Sequence, residues 1–366
     1  MPAIRAAVAR ATGQPLELLD LHLDEPQPDE VLVRMVATGL CHTDLTVRDT
    51  VVPPALPAIL GHEGAGVVEK VGAAATGISV GDRVALSFAS CGDCKACRGG
   101  HPAHCASFID LNMSGTRRDG TSTLRHEDGT PIGGSFFSQS SFATHALAHA
   151  SNVVKIRPQD DLELVGPLGC GVQTGAGTVI NVLRPAPGSS LVVFGVGGVG
   201  MSAALAALAV GCTTVVAVDV NAERLQLAKE LGVTAVLDPT TDDVLAELTA
   251  LNGGVDYAVD TTGRATIVKT ALEALAPGGV LALHGLYTPD GEGLDVAAIP
   301  AGKSVVSVIE GDSVPQTTIP ALLALHEAGH FPFDRLITFY DFDNINEAIA
   351  DMESGRTIKP VIRFPA

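Results

Sequence analysis

Short runs of aliphatic and β-branched residues dominate the first third of the chain. The runs at 31–36, 64–71 and 83–86 are bounded by Pro, Gly and Asp, which are residues that end strands. Residues 98–135 are polar, rich in glycine and weakly periodic, so we expect them to form an excursion from the core. The first third is therefore predicted to be a β-rich domain.

The pattern changes after about residue 171, where apolar strands alternate with helical stretches. The predicted elements are strands at 190–194, 215–218, 257–259 and 280–283, and helices at 199–210, 221–231 and 265–275. Strands that alternate with helices of about 10–15 residues indicate βαβ units on a parallel sheet. We expect a doubly wound α/β domain over 172–309. The other domain combines 1–171 with 310–366, whose tail predicts helices near 317–328 and 344–354 and a returning strand at 360–364.

Composition and charge exclude several classes of protein. The chain has 366 residues, 46% of them hydrophobic, which is enough for a full core and excludes a disordered protein. Its formal charge of −18 repels phosphate backbones and anionic lipid, so nucleic acid is not an expected partner. No apolar run reaches ~18 residues, so no membrane span is expected. Seven cysteines, an odd number, and no signal-like N-terminus favour a cytoplasmic setting.

A glycine-rich loop lies between a predicted strand and a predicted helix. It fits the pattern G-x-G-x-x-G with Gly195, Gly197, Gly198, Val199 and Gly200. In that context the glycines allow a tight turn and a close approach of the backbone to a pyrophosphate. Asp219 follows the next strand, where a carboxylate binds ribose hydroxyls and favours NAD over NADP. Arg224, one helical turn on, leaves some NADP use open. The alternative is a plain turn with a solvent-exposed Asp.

Four of the cysteines are crowded into one short segment. They follow the spacing C-x2-C-x2-C-x7-C within a lobe over 88–110: Cys91, Cys94, Cys97 and Cys105. Four thiolates so close together fit a closed, structural zinc site. An iron–sulfur cluster is the chemical alternative, but the seven-residue gap and the missing Cys-Pro favour zinc.

A second set of metal donors is dispersed. Cys41, His62 and Cys170 each lie beside glycine and near a predicted strand end. Two thiolates, one imidazole and one open position make a catalytic zinc set. Spacing alone does not separate this set from two buried structural thiols and a core histidine.

Taken together, these motifs resemble the zinc-dependent medium-chain alcohol dehydrogenases over nearly the whole chain. The matching segments are 41–44 (Cys-His-Thr-Asp), 61–66, 81–84, 169–171, the four-cysteine lobe, and the glycine loop with Asp219. The resemblance implies a Rossmann NAD-binding domain, a GroES-like catalytic domain, one catalytic and one structural zinc per chain, and a homodimer or homotetramer. Residues 136–142 and 309–313 further resemble the bacterial benzyl-alcohol (aryl-alcohol) and geraniol dehydrogenases.

The resemblance also implies a role for individual residues. Catalytic zinc is bound by Cys41, His62 and Cys170. The residues implied around that metal are Asp44, which holds the histidine, Glu63, which lies behind the metal, and Thr43, which accepts the substrate proton. The cofactor phosphates or ribose are contacted by His42, Arg224 and Lys359, and the nicotinamide by Thr174 and Val199. Many family members have a histidine where this chain has Thr46, so the proton exit is open between His42 and bulk water.

The implied reaction is the NAD-dependent interconversion of a primary aryl or allylic alcohol and its aldehyde. The candidate pocket residues are Ser87, Phe88, Phe136, Phe137, Leu286 and Ile309. A pocket lined by phenylalanine suits a benzyl alcohol, although both Phe136 and Phe137 can equally be core. Alternatives are a geraniol or terpenoid alcohol dehydrogenase, a glutathione-dependent formaldehyde dehydrogenase, and a non-catalytic binder of zinc and dinucleotide.

Overall fold

The computed structural model describes residues 3–50, 52–125, 129–284 and 299–365. The chain forms two compact units. The first contains Met1–Cys170, Val314–Leu323 and Leu336–Ala366, and the second contains Gly171–Ser313 and Ala324–Arg335. The sequence interpretation assigned all of 310–366 to the first domain, whereas 310–313 and 324–335 lie in the second unit. Within that unit, the Arg335 guanidinium lies 3.2 Å from the Glu230 carboxylate.

The strands are numbered in chain order. They are β1 (Ala3–Ala9), β2 (Glu17–Leu23), β3 (Glu30–Gly39), β4 (Ala58–Ile59), β5 (Gly64–Val71), β6 (Arg83–Leu86), β7 (Leu124–Arg125), β8 (Pro131–Ile132), β9 (His145–His149), β10 (Val153–Lys155), β11 (Ser190–Phe194), β12 (Thr214–Val218), β13 (Ala235–Leu237), β14 (Val255–Asp260), β15 (Leu275–Leu283), β16 (Ser304–Ser307), β17 (Ile337–Asp341) and β18 (Lys359–Arg363).

Three of the described α-helices contain ten or more residues, and the others are shorter. They are α1 (His42–Asp49), α2 (Lys95–Arg98), α3 (Phe108–Met113), α4 (Leu162–Val165), α5 (Gly171–Gly177), α6 (Gly198–Ala209), α7 (Ala222–Glu230), α8 (Val244–Thr249), α9 (Ala265–Ala274), α10 (Pro315–Glu327) and α11 (Ile345–Glu353). Helix α5 continues as a π-helical segment, Thr178–Leu183. In the described parts of the chain, none of the helices has the length and hydropathy to cross a membrane.

Two sheets form the first unit. One has the strand order β4-β1-β2-β7-β8, and the other has the order β10-β6-β5-β3-β18-β17, with β9 also paired to β3. Strand β3 is buried along most of its length, which explains its near-continuous run of apolar residues. Strand β18 pairs antiparallel with β3. The C-terminal strand therefore returns to the first unit, as predicted.

The second unit contains a parallel sheet with the order β13-β12-β11-β14-β15-β16. Every neighbouring pair is parallel. Strands β12 and β14 flank β11 on opposite sides, so the chain reverses its direction across the sheet beside β11. Such a switch point is where doubly wound folds bind ligands beyond the carboxyl ends of the strands. The Asn221 side chain accepts hydrogen bonds from the backbone of Glu223 and Arg224, which confirms the predicted N-cap of α7. The predicted Rossmann fold is confirmed.

Candidate catalytic and cofactor sites

Donor atoms from three remote segments meet in the first unit. Cys41 immediately precedes α1, His62 lies between β4 and β5, and Cys170 follows a 3₁₀ turn at Gly166–Gly169. The ligand atoms of Cys41, His62, Glu63 and Cys170 all lie within 4.8 Å of one another. His62 is completely buried, and Cys170 is nearly so. Only the fold brings these residues together, because more than 100 positions separate His62 from Cys170.

The Asp44 carboxylate forms hydrogen bonds to both the His62 side and the Cys41 side of this cluster. Its Oδ1 accepts hydrogen bonds from His62 Nδ1 at 2.9 Å and from the Gly61 N–H at 3.0 Å. Its Oδ2 accepts one from the Cys41 N–H at 3.0 Å. The hydrogen bond at Nδ1 leaves Nε2 as the imidazole nitrogen that can bind a metal, and Nε2 is buried without a hydrogen-bond partner. A carboxylate on the outer nitrogen is the usual way to fix a metal-binding histidine.

The electrostatics of the cluster suit a divalent cation. Hydrogen bonding to Cys170, opposed by burial and supported by His62, holds the pKa of Cys41 well below its ordinary value. Burial lowers the pKa of His62, but the Asp44 carboxylate and the Cys41 sulfur together outweigh burial and raise that pKa well above its usual range. The surroundings therefore favour a thiolate at Cys41 and positive charge beside it. Two sulfur atoms and one buried, unpartnered nitrogen fit zinc and leave a fourth position for a ligand.

Glu63 and Lys359 form an ion pair behind the cluster. The Lys359 ammonium lies 2.6 Å from Glu63 Oε1 and donates a hydrogen bond to the Leu40 carbonyl at 2.9 Å. Both side chains are almost completely buried. Burial raises the pKa of Glu63 to about 7, although the Lys359 charge opposes that rise. The Lys359 ammonium is thus bonded within the first unit, and its predicted contact with the cofactor stays a prediction.

The residues of the implied proton path lie at the start of α1. The Thr43 hydroxyl is 3.7 Å from the Cys41 sulfur atom. His42 is exposed, and its carbonyl accepts a hydrogen bond from the Thr46 hydroxyl at 3.0 Å. Thr46 is thus bonded to its own helix rather than placed as a proton carrier.

The four cysteines of the lobe also converge. The sulfur atoms of Cys91, Cys94, Cys97 and Cys105 lie within 4.8 Å of one another, and those of Cys91 and Cys97 are 3.9 Å apart. A zinc ion with four Zn–S bonds of ≈ 2.3 Å needs sulfur–sulfur edges of about 3.8 Å. Backbone hydrogen bonds lower the pKa of Cys94 to about 6, whereas the Asp93 side chain raises the pKa of Cys91 to about 12. This donor set fits structural zinc, whose binding displaces the remaining thiol protons.

Most of the predicted pocket residues are buried in the first unit. Ser87 donates its hydroxyl to the Gly169 carbonyl at 2.7 Å, and the ring of Phe88 packs on Phe108. The rings of Phe136 and Phe137 both contact His62. Ile309 belongs to the second unit and is 37% exposed. Leu286 lies outside the described residues.

The glycine loop takes the geometry that its sequence demands. Gly195 has φ +82, and a Cβ there would meet the Thr261 hydroxyl at 2.7 Å. A Cβ on Gly200 would collide with the Gly195 carbonyl oxygen, so only glycine lets α6 begin so close to β11. By contrast, a Cβ on Gly197 would meet nothing nearer than Arg224 Nη1 at 4.0 Å. The backbone of Gly197 therefore borders open space at the N-terminus of α6, which suits a phosphate group.

Asp219 follows β12 beside this loop. Its carboxylate accepts hydrogen bonds from the Val196 N–H at 2.8 Å and the Asn221 N–H at 2.9 Å. The Arg224 guanidinium lies 3.8 Å away. Val199 and Thr174, which lie on α6 and α5, are each half-buried. The loop, the open space and the fixed carboxylate together fit a dinucleotide such as NAD.

Two buried polar residues beside the sites were given no role by the sequence. Gln139 is fully buried and bonded to the backbone around His62, and Asn112 ties α3 to Ala89 at the edge of the lobe. Both are polar residues in irregular or short segments, where no period distinguishes a buried side chain from a solvated one.

Comparisons with known proteins agree with this picture. The alcohol dehydrogenase GroES-like domain matches residues 27–158, and the zinc-binding dehydrogenase family matches residues 198–328. The geraniol dehydrogenase of Castellaniella defragrans is 46% identical over 98% of this chain and 97% of its own length. The crystal structure of an alcohol dehydrogenase zinc-binding domain protein from Burkholderia ambifaria has a TM-score of 0.97 at 48% identity, and both chains are covered completely. Benzyl alcohol dehydrogenase from Acinetobacter calcoaceticus has a TM-score of 0.95 at 44% identity, again over both complete chains.

A protein with this fold and these two donor sets is a zinc-binding dehydrogenase. The chain belongs to the zinc-dependent medium-chain alcohol dehydrogenase family, as its sequence motifs predicted. Its cofactors are zinc and, as expected for the family, NAD.

Proposed function

We propose that this alcohol dehydrogenase interconverts a primary aryl or allylic alcohol of the benzyl alcohol type and its aldehyde. The balanced reaction is R–CH2OH + NAD⁺ to R–CHO + NADH + H⁺. The observation that carries the proposal is the meeting of Cys41, His62 and Cys170 with the imidazole Nε2 unpartnered. The substrate class is supported by the likeness to relatives named geraniol and benzyl alcohol dehydrogenases. A terpenoid allylic alcohol such as geraniol is the second candidate, because the first of those relatives is 46% identical.

The protein side chains supply placement and proton transfer. When bound, zinc supplies Lewis-acid polarisation of the alcohol oxygen, and NAD supplies the hydride acceptor. Cys41, His62 and Cys170 would hold the metal, and Asp44 keeps the imidazole in the tautomer that presents Nε2. The Thr43 hydroxyl, next to the Cys41 sulfur, takes the alcohol proton and passes it outward. Because Thr46 is bonded to its own helix, we assign the exit of that proton to exposed His42 or to water.

We assign cofactor binding to the second unit. The backbone at Gly197 and Gly198 would receive the pyrophosphate at the N-terminus of α6. The Asp219 carboxylate would accept hydrogen bonds from the ribose diol and would repel a 2′-phosphate. Replacing Asp219 with Ala is expected to weaken NAD binding and to improve the relative use of NADP. An unchanged ratio of kcat/KM for the two cofactors would contradict the ribose contact.

A substrate screen tests the reaction directly. We expect kcat/KM with NAD⁺ to be highest for benzyl and cinnamyl alcohols, lower for ethanol, and negligible for S-hydroxymethylglutathione. Preference for geraniol over both aryl substrates would favour the second candidate. Turnover of the glutathione adduct would instead indicate a formaldehyde dehydrogenase.

The role of the metal is tested by a matched pair of cysteine variants. Wild-type protein is expected to contain two zinc ions per chain. Cys170→Ser should retain one zinc and a folded chain but lose turnover, because it removes one of the three catalytic donors. Cys212 is a buried thiol of the second unit, outside both clusters, so Cys212→Ser should keep both zinc ions and full turnover. Normal turnover in Cys170→Ser would leave a non-catalytic binder of zinc and dinucleotide as the better description.

We also propose a homodimer or homotetramer. Strand β16 is the last strand in the order of the parallel sheet, and its only partner among the described residues is β15. A free edge of this kind presents backbone groups that a second copy can pair with. Sedimentation of the purified protein at micromolar concentration tests this, and a single monomeric species would contradict it.

A further inference from the structure

Residues 136–141 form a buried turn with an unusual backbone. Each side chain in this segment is at most 7% exposed. Phe137, Ser138 and Ser140 have φ values of 49, 50 and 49, in the left-handed region that residues other than glycine rarely adopt. Such a backbone conformation is strained and persists only where its surroundings enforce it. The contacts of the segment show what enforces the turn.

The two phenylalanines of the turn enclose the imidazole of His62. The Phe137 ring stacks on it, with centroids 4.5 Å apart and planes 27° apart. The Phe136 ring meets it edge to face, with centroids 5.4 Å apart and an interplanar angle of 90°. One stacked and one perpendicular neighbour restrict rotation of the imidazole about its Cβ–Cγ bond.

The same turn also holds the backbone on both sides of His62. The Gln139 amide donates to the His62 carbonyl at 3.0 Å, and its oxygen accepts from the Gly64 N–H at 3.0 Å. The Ser141 N–H donates to the Gly61 carbonyl at 2.9 Å. Backbone groups before, at and after the histidine are therefore tied to one short segment.

We propose that Phe137 and Gln139 are positioning residues for the catalytic zinc. Asp44 determines which nitrogen of His62 is available, but a single hydrogen bond leaves the ring plane free to turn about it. The stack of Phe137 sets that plane, and Gln139 fixes the backbone from which the ring projects. The strained turn is retained because it places both residues on His62. This inference rests on the zinc role proposed for Cys41, His62 and Cys170.

The inference also assigns a specific use to Phe137. The resemblance implied that Phe137 lines the substrate pocket. A residue that lines the pocket and a residue that positions the imidazole affect different measured quantities. A pocket wall affects the alcohol KM, whereas a residue that sets the imidazole plane affects metal affinity in the absence of any alcohol. Metal binding to the protein without alcohol or NAD therefore separates the two roles.

The experiment measures zinc affinity by chelator competition and the visible absorption spectrum after cobalt substitution. Phe137→Leu removes the stacked ring, and we expect about a tenfold loss of affinity at the catalytic site and a shifted cobalt spectrum. Phe137→Tyr keeps the ring and should restore both. The control is Phe342→Leu in the same unit, because the Phe342 ring packs on Phe364, 4.9 Å away, and not on His62. The affinity of the four-cysteine lobe should be unchanged in all variants and reports on folding.

Three results would overturn the inference. Wild-type zinc affinity and cobalt spectrum in Phe137→Leu, with a changed alcohol KM, would make Phe137 a pocket wall only. An equal loss of catalytic-site affinity in Phe342→Leu would show a general packing effect. One zinc per chain in the wild type would overturn the proposed function as well, and is distinguishable from the other two. If Phe137→Leu loses its lobe zinc or unfolds, Gln139→Met is measured instead. We expect the same loss of zinc affinity at the catalytic site, and wild-type affinity and cobalt spectrum in Gln139→Met would overturn the inference.

Discussion

The buried ion pair of Glu63 and Lys359 shows how one side chain sets the state of another. Burial alone would keep the Glu63 carboxyl neutral, and its pKa is raised to about 7 even with the ammonium beside it. The Glu63 charge, opposed by burial, raises the pKa of Lys359. Each charge is tolerated in the interior because the other is present.

Removing one member of this pair should be costly. In Lys359→Met, burial should keep the Glu63 carboxyl protonated. Because an ordinary glutamate is ionised at pH 7, we expect the free energy of unfolding to fall by about 3–5 kcal/mol at that pH. The double variant Lys359→Met, Glu63→Gln should lose less than the two single variants together, because it leaves neither an unpaired ammonium nor an acid that must be protonated. Urea denaturation of the zinc-loaded protein measures both. A loss below about 1 kcal/mol in Lys359→Met would mean that water reaches the carboxylate.

His284 in the second unit is a second buried titratable group. Thr178 donates its hydroxyl to the Thr174 carbonyl at 2.7 Å, so the contact of 2.6 Å to His284 Nε2 must use the imidazole N–H as donor. Burial lowers the pKa of His284 to about 4. The imidazole is therefore neutral in the folded protein at neutral pH.

This shift predicts how stability depends on pH. Above pH ~6.5, His284 is neutral in both the folded and the unfolded chain and has no effect. As the pH falls from about 6.5 towards 4, only the unfolded chain gains a proton there, so the second unit should lose up to about 3 kcal/mol of stability. His284→Gln keeps an N–H donor and should flatten this slope in urea denaturation. His330, which is exposed, provides the control variant His330→Gln. Parallel pH curves for wild type and His284→Gln would contradict the prediction.

Single residues were predictable where their chemistry is distinctive. Cysteines beside glycine, an acid after a strand and a glycine loop are visible in one sequence, and the structure places them in two donor sets and one loop. Gln139 was not predictable, because an amide looks the same whether it is solvated or bonded to the backbone around a metal ligand. The stack of Phe137 on His62 joins residues 75 positions apart and depends on left-handed backbone that no pattern of apolar positions reveals.

At the scale of elements, the turn from β11 into α6 separates packing from binding. Gly195 and Gly200 approach so closely that a side chain on the second would strike the carbonyl of the first. Gly197 faces open space instead. The same motif thus contains one glycine, Gly200, that close packing of the backbone requires. A second glycine, Gly197, borders the predicted position of the phosphate.

Two alanine variants test this division. Gly200→Ala should lower the stability of the second unit by several kcal/mol, because the clash is with backbone that cannot rotate away. Gly197→Ala should unfold like the wild type but bind NAD at least about tenfold more weakly, since its methyl group occupies the approach of the phosphate. Calorimetric titration with NAD and urea denaturation measure the two effects. Similar NAD affinity in Gly197→Ala and wild type would place the pyrophosphate elsewhere.

The four-cysteine lobe is an element whose fold depends on its metal. Helices α2 and α3 contain four and six residues, too few to be stable alone. In Cys97→Ser, we expect one zinc per chain to be lost and the lobe to become susceptible to proteases, while the Cys41 site keeps its zinc. Limited proteolysis and metal analysis measure this. A protease-resistant Cys97→Ser variant with one zinc would show that the lobe folds without metal.

The sequence predicted the type of about half of the described elements, but not their exact connections. The strands at 64–71, 83–86 and 190–194 are found with the predicted bounds. Strand β9 and the short strands β7 and β8 were not predicted, because they pair with residues more than 90 positions away or contain only two residues. The compact units divide the tail differently from the predicted domains, since helix periodicity does not show which unit a helix packs on.

For the whole molecule, charge is the dominant long-range feature. Acidic residues number 41 and basic residues 23, so at least 18 carboxylates have no basic partner when the others are paired one to one. Exposed ion pairs such as Lys70 with Glu25 contribute little to stability, because water and salt screen the two charges. Repulsion among the excess carboxylates acts over the whole surface and opposes the compact state.

Added salt should therefore stabilise the protein. Salt weakens both the exposed ion pairs and the general repulsion, but with an excess of 18 negative charges the repulsion outweighs the attraction. We expect the midpoint of thermal unfolding to rise by a few degrees between 10 and 300 mM NaCl at pH 8, where His284 is neutral in both states. KCl should give the same rise, because screening depends on ionic strength and not on the cation. A midpoint that falls with either salt would show that paired charges outweigh the unpaired ones.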